Sequence, residues 1–226
     1  MARVLGIDEA GRGPVVGSMF IGGFMVQEED LDSLEELGVK DSKKLSDGKR
    51  ERLRERIEEY GEAFCMEFTA EEIDSMSEEM TINDIEVQGF SQVLSRADPD
   101  KVYMDLPEPD AQSFIDKVSR AANADTSETE FIAEHGADDS FPVVSAASIV
   151  AKSAREEHVR SLKEKYGYDF ASGYPHDEPT IEFLKTFLQQ EGRLPEEARR
   201  SWSTAQRILD EAGQESLDTI DRKSGS

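Results

Sequence analysis

The chain is expected to fold as an α/β domain followed by a helical C-terminal region, and three features of its sequence point there. Short apolar runs alternate with amphipathic, helix-length segments from residue 3 to about 166. Several of those runs are bounded by Gly, Pro or Asp, as buried strands are. Beyond Gly167 the strand-like runs stop, and helical pattern continues in pieces broken at "SGYP", "EGRLP" and "EAGQ". Residues 1–166 therefore read as one domain and 167–212 as helical. Residues 213–226, with little to bury, read as a frayed tail.

In chain order, "RVLGID" (3–8) is a first strand, and "VVGSMFIGGFMV" (15–26) is a long second strand with interspersed glycines. Ser46 stands as N-cap of a helix that Gly61 stops. "AFCMEFTA" (63–70) is a third strand, which places Cys65 as a small buried hydrophobe. Thr69 then caps a short acidic helix. Apolar residues at 82, 85, 90, 93 and 94 share one helical face. "DKVYMDLP" (100–107) is a strand, 110–122 a helix, and "TEFIAEH" (129–135) the last strand. Pro142 opens a long helix, where its missing N–H costs nothing.

Composition narrows the setting. Fifty acids against 26 bases, 15 of them Arg, give a net charge of −24 over 226 residues. The apolar patterning argues against disorder, and a typical nucleic-acid binder carries the opposite sign. Self-repulsion of this size is tolerable where salt screens it, so a cytosol of very high salt is expected. One cysteine excludes an internal disulfide framework and fits a reducing cytoplasm. No apolar run is long enough to span a membrane, and the N-terminus carries no secretory pattern.

Carboxylates stand at the ends of three strands: Asp8 and Glu9 after the first, Asp105 ending "VYMD", and Asp138 after "EFIAEH". Ligands of α/β sheets gather outside the carboxyl ends of strands. Four acids meeting there would repel unless hard cations neutralised them. An oxygen-only donor set selects Mg²⁺ or Mn²⁺, and a two-metal site would hydrolyse a phosphodiester. In so acidic a chain most such residues are solvated. Asp8 stands apart because it lies on a buried strand. Gly11 and Gly13, flanking Arg12, allow close backbone approach to a sugar or phosphate, or form a plain turn.

The stretches "GIDEAGRGPVVG", "VKDSKKLS", "VYMD", "AEHGAD", "FPVVSAASIVAKSARE", "ASGYPHDEPTIEFL" and "RRSW" occur in this order, and together they resemble ribonuclease HII, the type 2 ribonuclease H, in its archaeal form. The resemblance covers residues 1 to about 205. It implies a ribonuclease H-like fold, with a mixed central sheet flanked by helices and a C-terminal helical region. It also implies metal-dependent hydrolysis of the RNA strand in RNA/DNA hybrids, and cleavage 5′ of ribonucleotides embedded in duplex DNA. The products carry 5′-phosphate and 3′-hydroxyl ends.

Residue by residue, the resemblance places the catalytic and metal-binding acids at Asp8, Glu9, Asp105 and Asp138, with Asp139 as the weaker candidate for the fourth. It makes Gly11, Arg12 and Gly13 a loop that grips the 2′-OH through its backbone, the contact that distinguishes RNA from DNA. Tyr174 becomes the tyrosine packed on the neighbouring sugar. Lys43 and Lys44 fall in the phosphate-contacting loop. Ser145 and Ser148 lie at a helix N-terminus that either receives a phosphate or packs on the sheet. The expected partner is RNA/DNA hybrid or ribonucleotide-containing duplex, with the protein monomeric and a sliding-clamp partner left open.

Departures fall at Ala171 and at "HDEP" (176–179), which differ from the usual archaeal pattern around the tyrosine, and at "LPEPD" after Asp105. A sugar-kinase or ATPase relative is the main alternative, but no second glycine-rich phosphate loop follows a later strand. A non-enzymatic acidic module gives no reason for "DEAGRG".

Overall fold

A computed structural model describes residues 2–40 and 47–224 of the chain. Lys43, Lys44 and the Ser46 N-cap lie outside the described residues. Five strands form one mixed sheet in the order β3-β2-β1-β4-β5. They are β1 Arg3–Ala10, β2 Met19–Gln27, β3 Gly61–Phe68, β4 Lys101–Asp105 and β5 Glu130–Glu134. β1 runs antiparallel to β2 and parallel to β4, and β4 runs parallel to β5. The carboxyl ends of β1, β4 and β5 therefore open on the same edge of the sheet.

Side chains alternate along β1, so its two faces feed two cores. Leu5 and Ile7 pack with Met19, Ile21, Phe90 and Met104 beneath α4 (Ile82–Ala97) and α5 (Ala111–Ala121). Val4 packs on the other face with Phe24 and with Val143, Val144 and Ala147 of α7 (Pro142–Tyr166). α1 (Leu31–Glu36) and α2 (Asp47–Ile57) complete that layer, Leu34 and Leu53 entering the same core. With both faces covered, the strands read as apolar runs, which is why the sequence disclosed them.

The second strand is shorter than expected. Val15 and Val16 leave the sheet for a third core with Leu162, Phe170, Phe183, Leu184 and Ala198. That core joins the end of α7 to α8 (Glu178–Glu191) and α9 (Ser203–Ser224). Val16 bridges to Ala198, so the C-terminal region is stitched to the chain between β1 and β2. α9 runs through the expected break at "EAGQ" and past residue 213, where the tail was expected to fray; Gly213 sits in it with nothing near its Cβ position. Cys65 corrects the expectation of a buried thiol. It lies on β3, at the edge of the sheet, and is exposed.

Local signals set the helix starts. Thr69 and Glu72 close a capping box on α3 (Ala70–Met76), and Thr81 and Asp84 close one on α4. Pro142 occupies the first turn of α7, and Gly167 ends that helix in the left-handed region at φ 60°. No helix among the described residues is long and apolar enough to cross a membrane.

What fixes α7 on the sheet is the absence of side chains beneath it. A Cβ at Gly6 would stand 2.2 Å from the Val143 carbonyl oxygen, and one at Gly22 would stand 2.3 Å from that of Ala147. The helix backbone thus lies directly on β1 and β2. Gly22→Ala is expected to destabilise the protein by about 1–3 kcal/mol through overpacking, measured by denaturant unfolding. Gly48→Ala in α2, where an added Cβ meets nothing within 4 Å, serves as the control and is expected to be stabilising by up to about 1 kcal/mol.

Candidate active site

Pairing of β1 with β4 ends at Ile7 opposite Met104, so the next residues, Asp8 and Asp105, stand side by side just past it. Each is still paired on its other side, Asp8 with Gly22 and Asp105 with Glu134. Asp8 shares the face of Val4, toward α7, the helix that carries Ser148. Glu9 alternates to the opposite face, toward α4. Oxygen atoms of Asp8, Glu9 and Asp105 nevertheless lie within 4.8 Å of one another at the strand ends. The cluster is tied to the main chain: the Glu9 N–H donates to Asp8 Oδ1 at 2.8 Å, and the Ala137 N–H donates to Asp105 Oδ1 at 2.8 Å.

The second of those bonds hangs the next segment from Asp105. Gly136, in the left-handed region, turns β5 into the short helix α6 (Ala137–Ser140) and so presents Asp138. Asp138 is buried at 9% exposure, whereas Asp139 is exposed. Asp138 stands outside the group of three, with its Oδ2 3.8 Å from Lys152 Nζ of α7. Of the two roles open to Ser145, phosphate contact or packing, the structure shows the inward one. Its buried hydroxyl donates to the carbonyls of Asp138 and Phe141, so it anchors the Asp138 segment and faces inward. Lys152, one turn beyond Ser148, faces Asp138 and favours the charged form of Asp8.

The glycine-arginine-glycine turn lies beside the acids. Gly11 is buried with φ 86°, Gly13 is exposed, and a Cβ on Gly13 would stand 3.2 Å from the Tyr174 ring. Tyr174 is half-buried, with the Arg155 guanidinium 5.1 Å from its ring centroid. Loop and tyrosine therefore form one surface at the edge of the acid cluster. Arg12 turns back into the protein: Nη2 donates to Asn83 Oδ1 at 2.5 Å, and Nη1 stands 3.3 Å from Glu86 Oε2.

Glu86 was missed by sequence reasoning. It is fully buried on α4 and raises the carboxyl of Glu9 on the far side of the sheet from α7. The signal was available, since residue 86 falls among the apolar positions 82, 85, 90 and 93 of an otherwise buried face. A charge there needs a partner, and Arg12 supplies it. Of the histidines, His135 contacts the Leu106 carbonyl through Nδ1 at 2.8 Å, and His158 accepts the Ser18 N–H at 3.2 Å. Both are occupied by main-chain contacts.

Crowding of acids perturbs their titration. Burial, then the neighbouring Glu9, pushes the Asp8 carboxyl well above its usual range. Burial and Glu86 raise Glu9 to about 7, and burial raises Glu86 to about 7 against the pull of Arg12. Glu9 Oε2 is buried with no hydrogen-bond partner. Converging carboxylate oxygens, one of them unsatisfied, fit a hard divalent cation. Asp8, Glu9 and Asp105 would hold it, with Asp138 adjacent.

The chain is similar to known proteins over most of its length. A family model for ribonuclease HII matches residues 5–205. The ribonuclease HII of Methanothrix thermoacetophila is 42% identical over 209 residues, 92% of this chain and 98% of its own length. The crystal structure of the ribonuclease H2 from Pyrococcus horikoshii matches with a TM-score of 0.86 at 38% identity, covering 92% of this chain and 98% of that one. The ribonuclease HII of Archaeoglobus fulgidus, solved in complex with PCNA, matches at 0.82 and 37% identity, covering 91% and 96%.

A raised carboxyl pKa means that the folded, metal-free chain holds protons which the unfolded chain has released. Between the ordinary 4.5 of Glu9 and Glu86 and their folded values of about 7, stability therefore falls as pH rises; it is greatest below that window. A divalent cation held by these carboxylates would take the place of those protons. Mg²⁺ or Mn²⁺ is expected to raise Tm more at pH 8 than at pH 5, and Asp8→Asn to raise the metal-free Tm at pH 8 while shrinking the metal-induced rise. Equal metal shifts at both pH values would contradict this account.

Proposed function

The chain belongs to the ribonuclease HII family, and on that premise we propose which of its residues carry the family's reaction. It is a metal-dependent endoribonuclease of the RNA strand in RNA/DNA hybrids that also cuts 5′ of ribonucleotides embedded in duplex DNA. The observation that carries the residue assignment is the meeting of Asp8, Glu9 and Asp105 oxygens within 4.8 Å at the carboxyl ends of adjacent strands.

Asp8, Glu9, Asp105 and Asp138 are the metal-binding acids in this reading, and the site takes two ions, Mg²⁺ or Mn²⁺. Divalent cations there supply Lewis acidity and lower the pKa of a water, which is what phosphodiester hydrolysis requires. The protein does the positioning. The Glu9 N–H orients Asp8, and the Ala137 N–H orients Asp105. Lys152 sets its positive charge against Asp138 and offsets part of the acid cluster's repulsion. The loop at Gly11, Arg12 and Gly13 reads the ribose 2′-OH through its backbone, and Tyr174 packs on the adjoining sugar. Lys43 remains the proposed phosphate contact. The bond broken is P–O3′ on the 5′ side of the ribonucleotide, leaving a 5′-phosphate and a 3′-hydroxyl.

The protein is further proposed to act as a monomer in a cytoplasm of multimolar salt. The A. fulgidus relative was solved with PCNA, and a sliding clamp is the corresponding partner class for this chain. At −24 charge the duplex is repelled, and phosphate contacts weaken as salt rises. Recognition must then rest on the sugar-reading loop, the metal site and short-range contacts.

The test is cleavage of a duplex carrying one ribonucleotide, with and without Mg²⁺ or Mn²⁺, at low and multimolar KCl. A single cut 5′ of the ribonucleotide is expected only with metal, and faster in high salt. Asp8→Asn is expected to lower turnover roughly 1,000-fold, corresponding to several kcal/mol of lost transition-state stabilisation. Metal-independent cleavage, or full activity of Asp8→Asn, would refute the site assignment.

A further inference from the structure

We infer that Arg199, contributed by the C-terminal region, is a positioning residue for ribose recognition, because its guanidinium fixes the direction of the peptide groups in the glycine-arginine-glycine loop. The inference rests on the proposal that this loop reads the 2′-OH.

Arg199 is among the largest fully buried side chains of the protein, at 0% exposure. A buried cation needs compensation, and none of the described carboxylates forms an ion pair with it. Its donors go to main-chain carbonyls. Nε donates to Gly17 O at 2.9 Å, Nη1 to Arg12 O at 2.7 Å and Nη2 to Gly11 O at 2.5 Å. The face of Trp202 lies 4.9 Å away. Burial and the nearby Arg155 lower the Arg199 pKa to about 10, so it stays charged at neutral pH.

The consequence follows from peptide geometry. The described peptide bonds are all trans, so each C=O points opposite to the N–H of the next residue. With the carbonyls of Gly11 and Arg12 aimed at Arg199, the N–H groups of Arg12 and Gly13 point away from it. Two adjacent N–H groups aimed outward form a donor pair suited to a sugar oxygen, with a buried positive charge behind them. The loop is closed on its other sides. A Cβ at Gly11 would meet Ser18 O at 2.7 Å, and the Arg12 side chain is tied to Asn83 and Glu86. The same segment that carries Arg199 is stitched alongside, with Arg199 N–H donating to Val15 O at 2.9 Å and Gly17 N–H to Glu197 O at 2.8 Å. Only a guanidinium offers three donors in one rigid fork; a lysine ammonium in the same place would not span the three carbonyls.

The test compares wild type, Arg199→Lys and Arg199→Met in equilibrium binding, without divalent metal, to a duplex with one ribonucleotide and to the same duplex in all-DNA form. Tm and the metal-induced rise in Tm are measured alongside. Wild type is expected to prefer the ribonucleotide duplex. Arg199→Met is expected to lose about tenfold of that preference, the worth of one lost hydrogen bond, and Arg199→Lys to recover part of it. Affinity for all-DNA duplex and the metal-induced Tm rise stay within about twofold of wild type. If wild type shows no preference, the reading of the loop itself fails. If wild type discriminates and the folded variants discriminate equally, the inference about Arg199 fails while the loop reading stands. If neither variant folds, Arg199 is structural only and the inference is overturned as well.

Discussion

Four carboxylates, Asp8, Glu9, Asp105 and Glu86, are gathered where the sheet ends, and each raises the proton affinity of at least one of the others. Such a cluster would push itself apart if its backbone were free to move. It cannot, because α7 lies on β1 and β2 with backbone against backbone at Gly6 and Gly22. The same contact delivers Lys152 to Asp138. Packing on the apolar face of the sheet thus holds a charge arrangement that is unfavourable on its own. A cation-binding site requires that balance: ligands must converge before the ion arrives.

Opposite faces of β1 divide the work. Asp8 looks toward α7, a helix of alanines and serines that can approach closely. Glu9 looks toward α4, where Glu86 and Asn83 hold Arg12. The Arg12 side chain therefore links the acid cluster to the loop that bears it, while the backbone of the same residue is gripped by Arg199. One short turn is fixed from the sheet layer by its side chain and from the C-terminal region by its carbonyls. The C-terminal helices therefore do more than extend the protein: they shape the edge of the site and bring Tyr174 over Gly13.

The charge of −24 is a property of the surface, and the buried site is built against it with a few placed cations. Arg12, Arg155 and Arg199 each meet a carbonyl, a ring or a buried acid near the loop. Their interactions are short-range and shielded from solvent, so salt screens them far less than exposed pairs. This distribution holds the glycine-arginine-glycine loop in place by contacts that do not depend on long-range attraction.

Residue order alone disclosed the strands, the capped helices, the acids at strand ends and the family motifs, because those depend on local periodicity, on capping pairs three residues apart and on residue type. Asp8 could be singled out for the same reason: a charge ending an apolar run is visible in one dimension. The partners of Glu86 and Arg199 were not, although both residues stand in segments that were read. Glu86 lies 74 positions from Arg12, and Arg199 lies 188 from Gly11. The role of Ser145, turned inward to Asp138, and the departure of Val15 and Val16 from the sheet were equally hidden. Which carbonyl a buried guanidinium meets is decided when the C-terminal region closes on the sheet, since a hydrogen bond depends on position and direction in space and leaves no periodicity in the chain.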